Sequence, residues 1–422
     1  MSDYTIGLDV STQAAKAVAC DAEGRILARS CKPYPEPFRP VDDPAVREAD
    51  PLSWIEASEA ALADLAAAGY PSSGRPVGGS AQQHGTVYSD ADGNLTRRYA
   101  PIWMDVSAAR EAAELDARFG DEMLRRTGSR SQSRFAAAQI LKFARMDPAA
   151  FDRTARIDLV SSYIARHFSS ERRIDFSDAA GMNLLNLETG DWDEEICAYI
   201  HPDLVSKLPP VTRTSAFTGD NPATLVGCGA ERPGTAIVSL GTSDVFMSAV
   251  EPDVRPPGGL GHVFGNPTGK LMALVCVKNG SLARDCVRRE LGVDWKFFDE
   301  TAWMNEGRDA RRGESRKTAF PFFEEEITPP HPATGVEANF DWQNASSDEK
   351  VRAIVRGQVA NLREHTRWTG DFSRIMVVGG ASRSEGICRT IAEVFGADVV
   401  PADDADAAAR GAALLAWRRF SS

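Results

Sequence analysis

No C-x-x-C pair occurs among the seven cysteines, which are scattered at 20, 31, 197, 228, 276, 286 and 388. That spacing argues against a zinc site, and an odd, dispersed set argues against a disulfide framework. The cysteines therefore read as small buried hydrophobes in a reducing compartment. Basic tracts are also missing. The formal charge is -12, and the brief "RRGESRK" at 311–317 is followed within a few residues by the acidic "FFEEE". Binding to nucleic acid through phosphate neutralisation is disfavoured on that balance. No apolar run approaches membrane-spanning length, and "MSDYTIGLDV" carries no basic-then-apolar leader, so the expectation is a cytoplasmic protein with no membrane partner. The sequence contains neither a P-loop nor a G-x-G-x-x-G fingerprint. Any anionic ligand must then be held by other backbone amides and by a bound cation.

What is present is an α/β pattern that occurs twice. With 422 residues, the chain exceeds what one core usually serves, and two domains are expected. The opening "YTIGLDVSTQAAKAVACDAEGRILA" reads as three strands joined by two turns. "PLSWIEASEAALADLAAAG" has helical spacing behind an Asp-Pro start. Past residue 218 the alternation restarts: "AIVSLGTSDVFMSAV" is strand, small polar turn, strand. "RIMVVGGASRSEGICRTIAEVFGADVV" is strand, glycine turn, helix, strand, and "ADAAARGAALLAW" is a closing helix of small residues. Two halves with matching hairpins predict a pseudo-duplicated protein with a cleft between its lobes, divided into 1–217 and 218–422.

Three turns and one acid are the candidates for chemistry. "DVST" offers Asp9, Ser11 and Thr12, and "LGTSD" offers Gly241 and Thr242. Each could cradle phosphate oxygens, and each could equally be a plain hairpin tip. Asp9 suits a magnesium ion held partly through water. "VVGGASRSEG" places Gly379 and Gly380 where a flat ring could lie, or merely where a strand packs closely on a helix. In "AFTGDNPATLVG", Asp220 stands among small residues with no charged neighbour. It is either the start of a turn or a base that takes a proton from something brought close.

These stretches resemble the FGGY carbohydrate kinases. "SAQQHG", "PIWMD", "TGSRSQSRF", "DFSDAAGMNLL", "FTGDNPA", "KNGSLARD" and the three turns run in family order over nearly the whole chain. Among members, the resemblance is strongest to the eukaryotic enzymes that act on xylulose. It implies two RNase H-like domains of the actin, hexokinase and heat-shock ATPase superfamily, with ATP and a sugar between them. By the same resemblance Asp220 is the general base, phosphorylation gives D-xylulose 5-phosphate, and Mg2+ accompanies ATP through Asp9. Substrate contacts are implied for His84, Arg130, Asn221, Trp103 and Asp105. Nucleotide contacts are implied for Ser11, Thr12, Gly241, Thr242, Gly379, Gly380, Ser384 and Trp295. Other polyols such as ribulose or glycerol, a non-catalytic relative, and an actin-like nucleotide switch are the alternatives; a homodimer is compatible with all of them. Three departures stand out: Ser11 where members usually have glycine, Met104 and Ser107 around the W-x-D motif, and a short run "KLPPVTRTSAFTGDN". The last leads to the expectation that the strand approaching Asp220 is missing or that its position is disturbed.

Overall fold

In the computed structural model, residues 4–303, 317–402 and 406–420 are described; apart from Lys317, the basic run 311–317 lies outside them. The first sheet is built from β1 (Thr5–Val10), β2 (Ala14–Cys20), β3 (Ile26–Pro33), β4 (Val77–Ala81) and β5 (Phe217–Gly219), in the order β5-β4-β1-β2-β3. β1 runs antiparallel to β2 and parallel to β4, and β4 runs parallel to β5. Between β3 and β4 lies α1 (Pro51–Ala67). Its N-cap Asp50 accepts from the Leu52 amide, and Pro51 occupies the first turn, where no amide donor is needed. α2 (Ala109–Thr127) and α3 (Ala136–Met146) belong to the helical part between β4 and β5. α4 (Asp220–Gly227) leaves β5 directly.

The second sheet repeats the plan. It comprises β6 (Thr235–Leu240), β7 (Asp244–Val250), β8 (His262–Gly265), β9 (Leu271–Val277), β10 (Arg374–Val378) and β11 (Asp398–Pro401), in the order β8-β9-β7-β6-β10-β11. As in the first sheet, a hairpin strand (β6) pairs antiparallel with its successor and parallel with a strand from much later in the chain. Against this sheet lie α5 (Ser281–Glu290), α6 (Trp295–Thr301), α7 (Ser347–Thr366) and α8 (Glu385–Phe395). α7 opens with a capping box in which Ser346 and Glu349 satisfy each other's amides. The duplication read from the two hairpins is therefore present. The division expected after residue 217 cuts through β5: the first sheet ends at Gly219 and the second begins at Thr235.

The last helix, α9 (Ala407–Phe420), returns to the first lobe. A Cβ on Gly7 of β1 would fall 1.9 Å from the Ala409 carbonyl, and one on Gly411 of α9 would fall 1.9 Å from the Ala223 carbonyl of α4. Only glycine lets these backbones touch. A continuous apolar cluster joins the lobes, from Phe135, Phe176 and Met182 to Ile237, Val263 and Met272. No disulfide joins any of the seven cysteines; four are buried, whereas Cys31 is exposed, contrary to the reading of all as core residues. No helix among the described residues is long and apolar enough to cross a membrane.

Candidate active site

Open parallel sheets place ligands beyond the carboxyl ends of their strands, and here β1, β4 and β5 end side by side. Ladder register sets Asp9 next to Ser80, whose hydroxyl donates to the Asp9 carboxylate at 3.0 Å, and directly across from Lys16. One residue past β4 come Gln83 and His84, and immediately past β5 come Asp220 and Asn221. These four residues, with Trp103 and Arg134, line one side of a cavity of about 230 Å³. His262, Phe264, Leu274 and Cys276 of the second sheet face them. The short run before Asp220 nevertheless supplies an approach strand, because residues 217–219 pair with Gly79–Ala81 and α4 starts at once. The expectation of a missing strand is corrected on that point.

Asp220 lies in the first turn of α4, with Pro222 following where its missing donor costs little. The Asn221 amides donate to its Oδ1, from the backbone at 2.8 Å and from the side chain at 3.2 Å. Burial raises the Asp220 carboxyl to about 8, helped by the nearby Asp9 and Asp178, while the Asn221 backbone amide opposes the shift. A carboxylate so poised has the proton affinity a general base for a sugar alcohol needs. His84 holds a left-handed backbone, φ 69°, which turns its ring toward Gly181. Its Nδ1 lies 2.8 Å from the Gly181 carbonyl, which can only accept, so the proton is on Nδ1. Desolvation first, and the Arg134 cation second, push the imidazole down to about 3. It is neutral, with Nε2 left to accept from a hydroxyl.

Arg134 rather than Arg130 is the arginine at the cavity. The Arg130 guanidinium is held by Asp116 and Asp121 and packs on Gly259, and it is not part of the cavity lining. Arg134 bonds only the Gln132 amide oxygen among the described residues, at 3.0 and 2.8 Å, which leaves its charge for a ligand. Asp105 is also withdrawn from the site. It is 1% exposed, and its oxygens accept from the Arg47 and Ser107 amides, the Ser107 hydroxyl and Gln139. That makes it a turn brace. Trp103 remains on the cavity, and its indole N–H donates to Thr12 Oγ1 at 2.9 Å, joining the cavity wall to the first hairpin tip.

The hairpin tips are more selective than their sequences suggested. Ser11 directs both its amide and its hydroxyl at the Ala14 carbonyl, so it closes the turn, while the half-buried Thr12 keeps its bond from Trp103. At the second tip the Gly241 amide is taken by the Ser243 carbonyl, and Thr242 is exposed. Behind that tip Asp244 forms a buried bidentate pair with Arg284, at 2.7 and 2.8 Å, and Arg284 also donates to Gln358. In the third turn, Gly379 is needed by the fold: its φ is 91° and a Cβ would meet the Leu240 carbonyl at 2.6 Å. Ser384 is buried as the N-cap of α8. A Cβ on Gly380 meets nothing within 4 Å, so Gly380 is the glycine of this turn that has room for a side chain. Trp295 lies outside the cavity on α6, 45% exposed, with the Arg288 guanidinium 5.1 Å from its ring. Arg134 and His262 escaped the sequence reading. The first stood in a quoted motif beside Arg130, and the second had no signal beyond a histidine in an apolar strand.

Comparison with known proteins gives matches along the whole chain. The model for the N-terminal domain of the FGGY family of carbohydrate kinases matches residues 4–250, and that for its C-terminal domain matches 236–419. A xylulose kinase from Rattus norvegicus is 31% identical over 478 aligned positions, covering 98% of this chain and 87% of that protein. Xylulose kinase 2 of Arabidopsis thaliana is 30% identical, covering 97% and 86%. Because the rat alignment is longer than this chain, the relative carries residues that are absent here. A solved xylulose kinase from Bifidobacterium adolescentis superposes with a TM-score of 0.84 at 23% identity, covering 100% of this chain and 93% of that one.

Proposed function

The chain belongs to the FGGY family of carbohydrate kinases, and from that premise we propose that it transfers the γ-phosphoryl group of ATP to the 5-hydroxyl of D-xylulose. The observation that carries this reading is the convergence of Asp220, Asn221, His84 and Arg134 on one cavity between the lobes. Asp220 takes the hydroxyl proton as the oxygen attacks the γ-phosphorus, and the bond to the ADP oxygen breaks as the new one forms. Neutral His84 accepts from a second hydroxyl, and the Arg134 guanidinium donates to the ketose oxygens. Thr12 and Thr242, on the two facing tips, approach the phosphates, and the nucleoside lies against Gly380 with Trp295 on its far side. Asp9 is one buried carboxylate, and no cluster of three metal-ligating side chains occurs among the described residues. A site of that kind suits Mg2+ carried in on the phosphates, with Asp9 reached through water. The ion would supply charge that stabilises the departing diphosphate. Closure of the lobes removes water, a competing acceptor for the phosphoryl group.

The substrate test is a panel of D-xylulose, D-ribulose and glycerol, read by coupled detection of ADP. D-xylulose is expected to give the highest kcat/KM, by at least about tenfold, the scale of one hydrogen bond gained or lost in the pocket. A better result with another member moves the substrate but keeps the chemistry; ADP release indifferent to every sugar removes the kinase reading. The nucleotide half is tested separately with Gly380→Val. The Cβ it adds meets no protein atom within 4 Å, so Tm should change little, while KM for ATP rises about tenfold through the loss of about 1.4 kcal/mol of contact. An unchanged KM for ATP would place the nucleoside elsewhere.

A further inference from the structure

From the cavity lining at Asn221 and Gln83 a file of side chains runs inward to Asp178 and Ser161, neither of which the chemistry above uses. Asn221 Nδ2 donates to Gln83 Oε1 at 2.9 Å, and Gln83 Nε2 donates to Asp178 Oδ1 at 3.2 Å. The Ser161 hydroxyl donates to the second oxygen of Asp178. Gln83 borders the cavity, whereas Asp178 and Ser161 are at most 2% exposed and lie off its lining, so a partner lost at that inner end is costly. The file passes tightly beside Gly219: a Cβ there would lie 2.6 Å from Gln83 Cγ and 2.7 Å from Asp178 Oδ1. The residue that precedes the base is therefore a glycine for a reason other than the turn.

An ionised carboxylate can only accept hydrogen bonds. Burial lifts the Asp178 carboxyl to about 6, with the Ser161 and Gln83 bonds opposing the lift, so it is ionised above neutral pH. Gln83 must then turn its NH2 to Asp178 and its carbonyl to Asn221. Asn221 in turn must direct its NH2 inward, to Gln83 and Asp220. Its Oδ1 has no partner among the described residues, and Asn221 lines the cavity. We propose that Asp178 is a positioning residue for substrate recognition: it fixes the orientation of the Gln83 amide, so that Asn221 presents an acceptor to a hydroxyl of the sugar. The inference rests on the kinase reading above, since it assigns one polarity of the sugar site to a residue that never touches the sugar.

Four proteins test it: the wild type, Asp178→Asn, Gln83→Glu and the double variant, each assayed for KM of the sugar and KM of ATP. In Asp178→Asn the new amide can donate to Gln83, which then turns its NH2 to Asn221 and forces that amide over. The sugar KM should rise about 30-fold, the scale of one mispaired buried hydrogen bond, with the ATP KM within about twofold. In the double variant the carboxylate introduced at position 83 accepts both from the amide introduced at position 178 and from Asn221, so Asn221 regains its orientation. Its sugar KM should return to within about fivefold of wild type, although Gln83→Glu alone sets two carboxylates against each other and binds sugar poorly. The inference is overturned if Asp178→Asn leaves the sugar KM unchanged, if both KM values rise together, or if the double variant is no better than the singles. Should Asp178→Asn not fold, the double variant must still bind sugar more tightly than Gln83→Glu. A wild type that phosphorylates no sugar removes the kinase reading itself, a result distinct from a normal Asp178→Asn in an active background.

Discussion

Asp220→Asn is expected to lower kcat about a thousandfold while the dissociation constant for ATP, measured by calorimetry, stays within about twofold. Asparagine keeps the size and the start of α4, so the variant removes proton acceptance and little else. A kcat within tenfold of wild type would show that the hydroxyl proton leaves by another route. The same residue sets a pH dependence. With its carboxyl raised to about 8, Asp220 of the free enzyme must lose a proton to act, so kcat/KM should fall as pH drops below 8 and level off above it. The stability effect has the opposite sign. A folded-state value above the unfolded one favours the folded protein at low pH, and that contribution disappears as pH rises through 8. Asp220→Asn should therefore melt no lower than wild type at pH 9, as expected of a residue whose environment serves reactivity over stability.

Arg284→Met has the next largest effect, and it acts on the fold as well as the site. The variant leaves Asp244 buried, 5% exposed, without its bidentate partner. A stranded buried charge costs about 3–5 kcal/mol, which corresponds to a fall in Tm of roughly 6–20 °C for lobes of this size. Asp244 closes the tip that carries Thr242, and the Ser281 amide at the start of α5 donates to the Gly241 carbonyl. KM for ATP should thus rise along with the loss of stability. Asp244→Leu combined with Arg284→Met removes both charges and is expected to recover much of the Tm but not the KM for ATP. A double variant as unstable as the single would mean that the guanidinium is needed for its bond to Gln358 and not for the pair.

Elements governed by local pattern were legible in the amino-acid sequence. The strand pairs around Asp9 and Gly241, the Asp50-Pro51 helix start and the glycine turn before α8 follow from alternation, capping and breaker residues within short windows. Asp220 stood out because small residues surround it in sequence, whereas His84 was reached only through the family resemblance. Features set by long-range packing were hidden. Arg130 and Arg134 sit in one motif, and only the fold of α2, which carries Asp116 and Asp121, decides which one is already paired. Asp105 looks like a wall of the site until the amides of Arg47 and Ser107 are found around it. Gln83 and Asp178 are 95 positions apart, and nothing in either neighbourhood marks the other. That residues 217–219 belong to the first sheet was hidden because β5 is three residues long and its partner lies far upstream.

The return of α9 to β1, β4 and α4 has a consequence for biosynthesis. The first sheet emerges from the ribosome early, yet the surface around Gly7 and Gly78 stays uncovered until the final helix has been translated. At ordinary elongation rates that wait is on the order of ten seconds or more. Throughout it the nascent first half exposes apolar surface that a chaperone would recognise, and a ribosome stalled inside the second half would leave a product unable to mature.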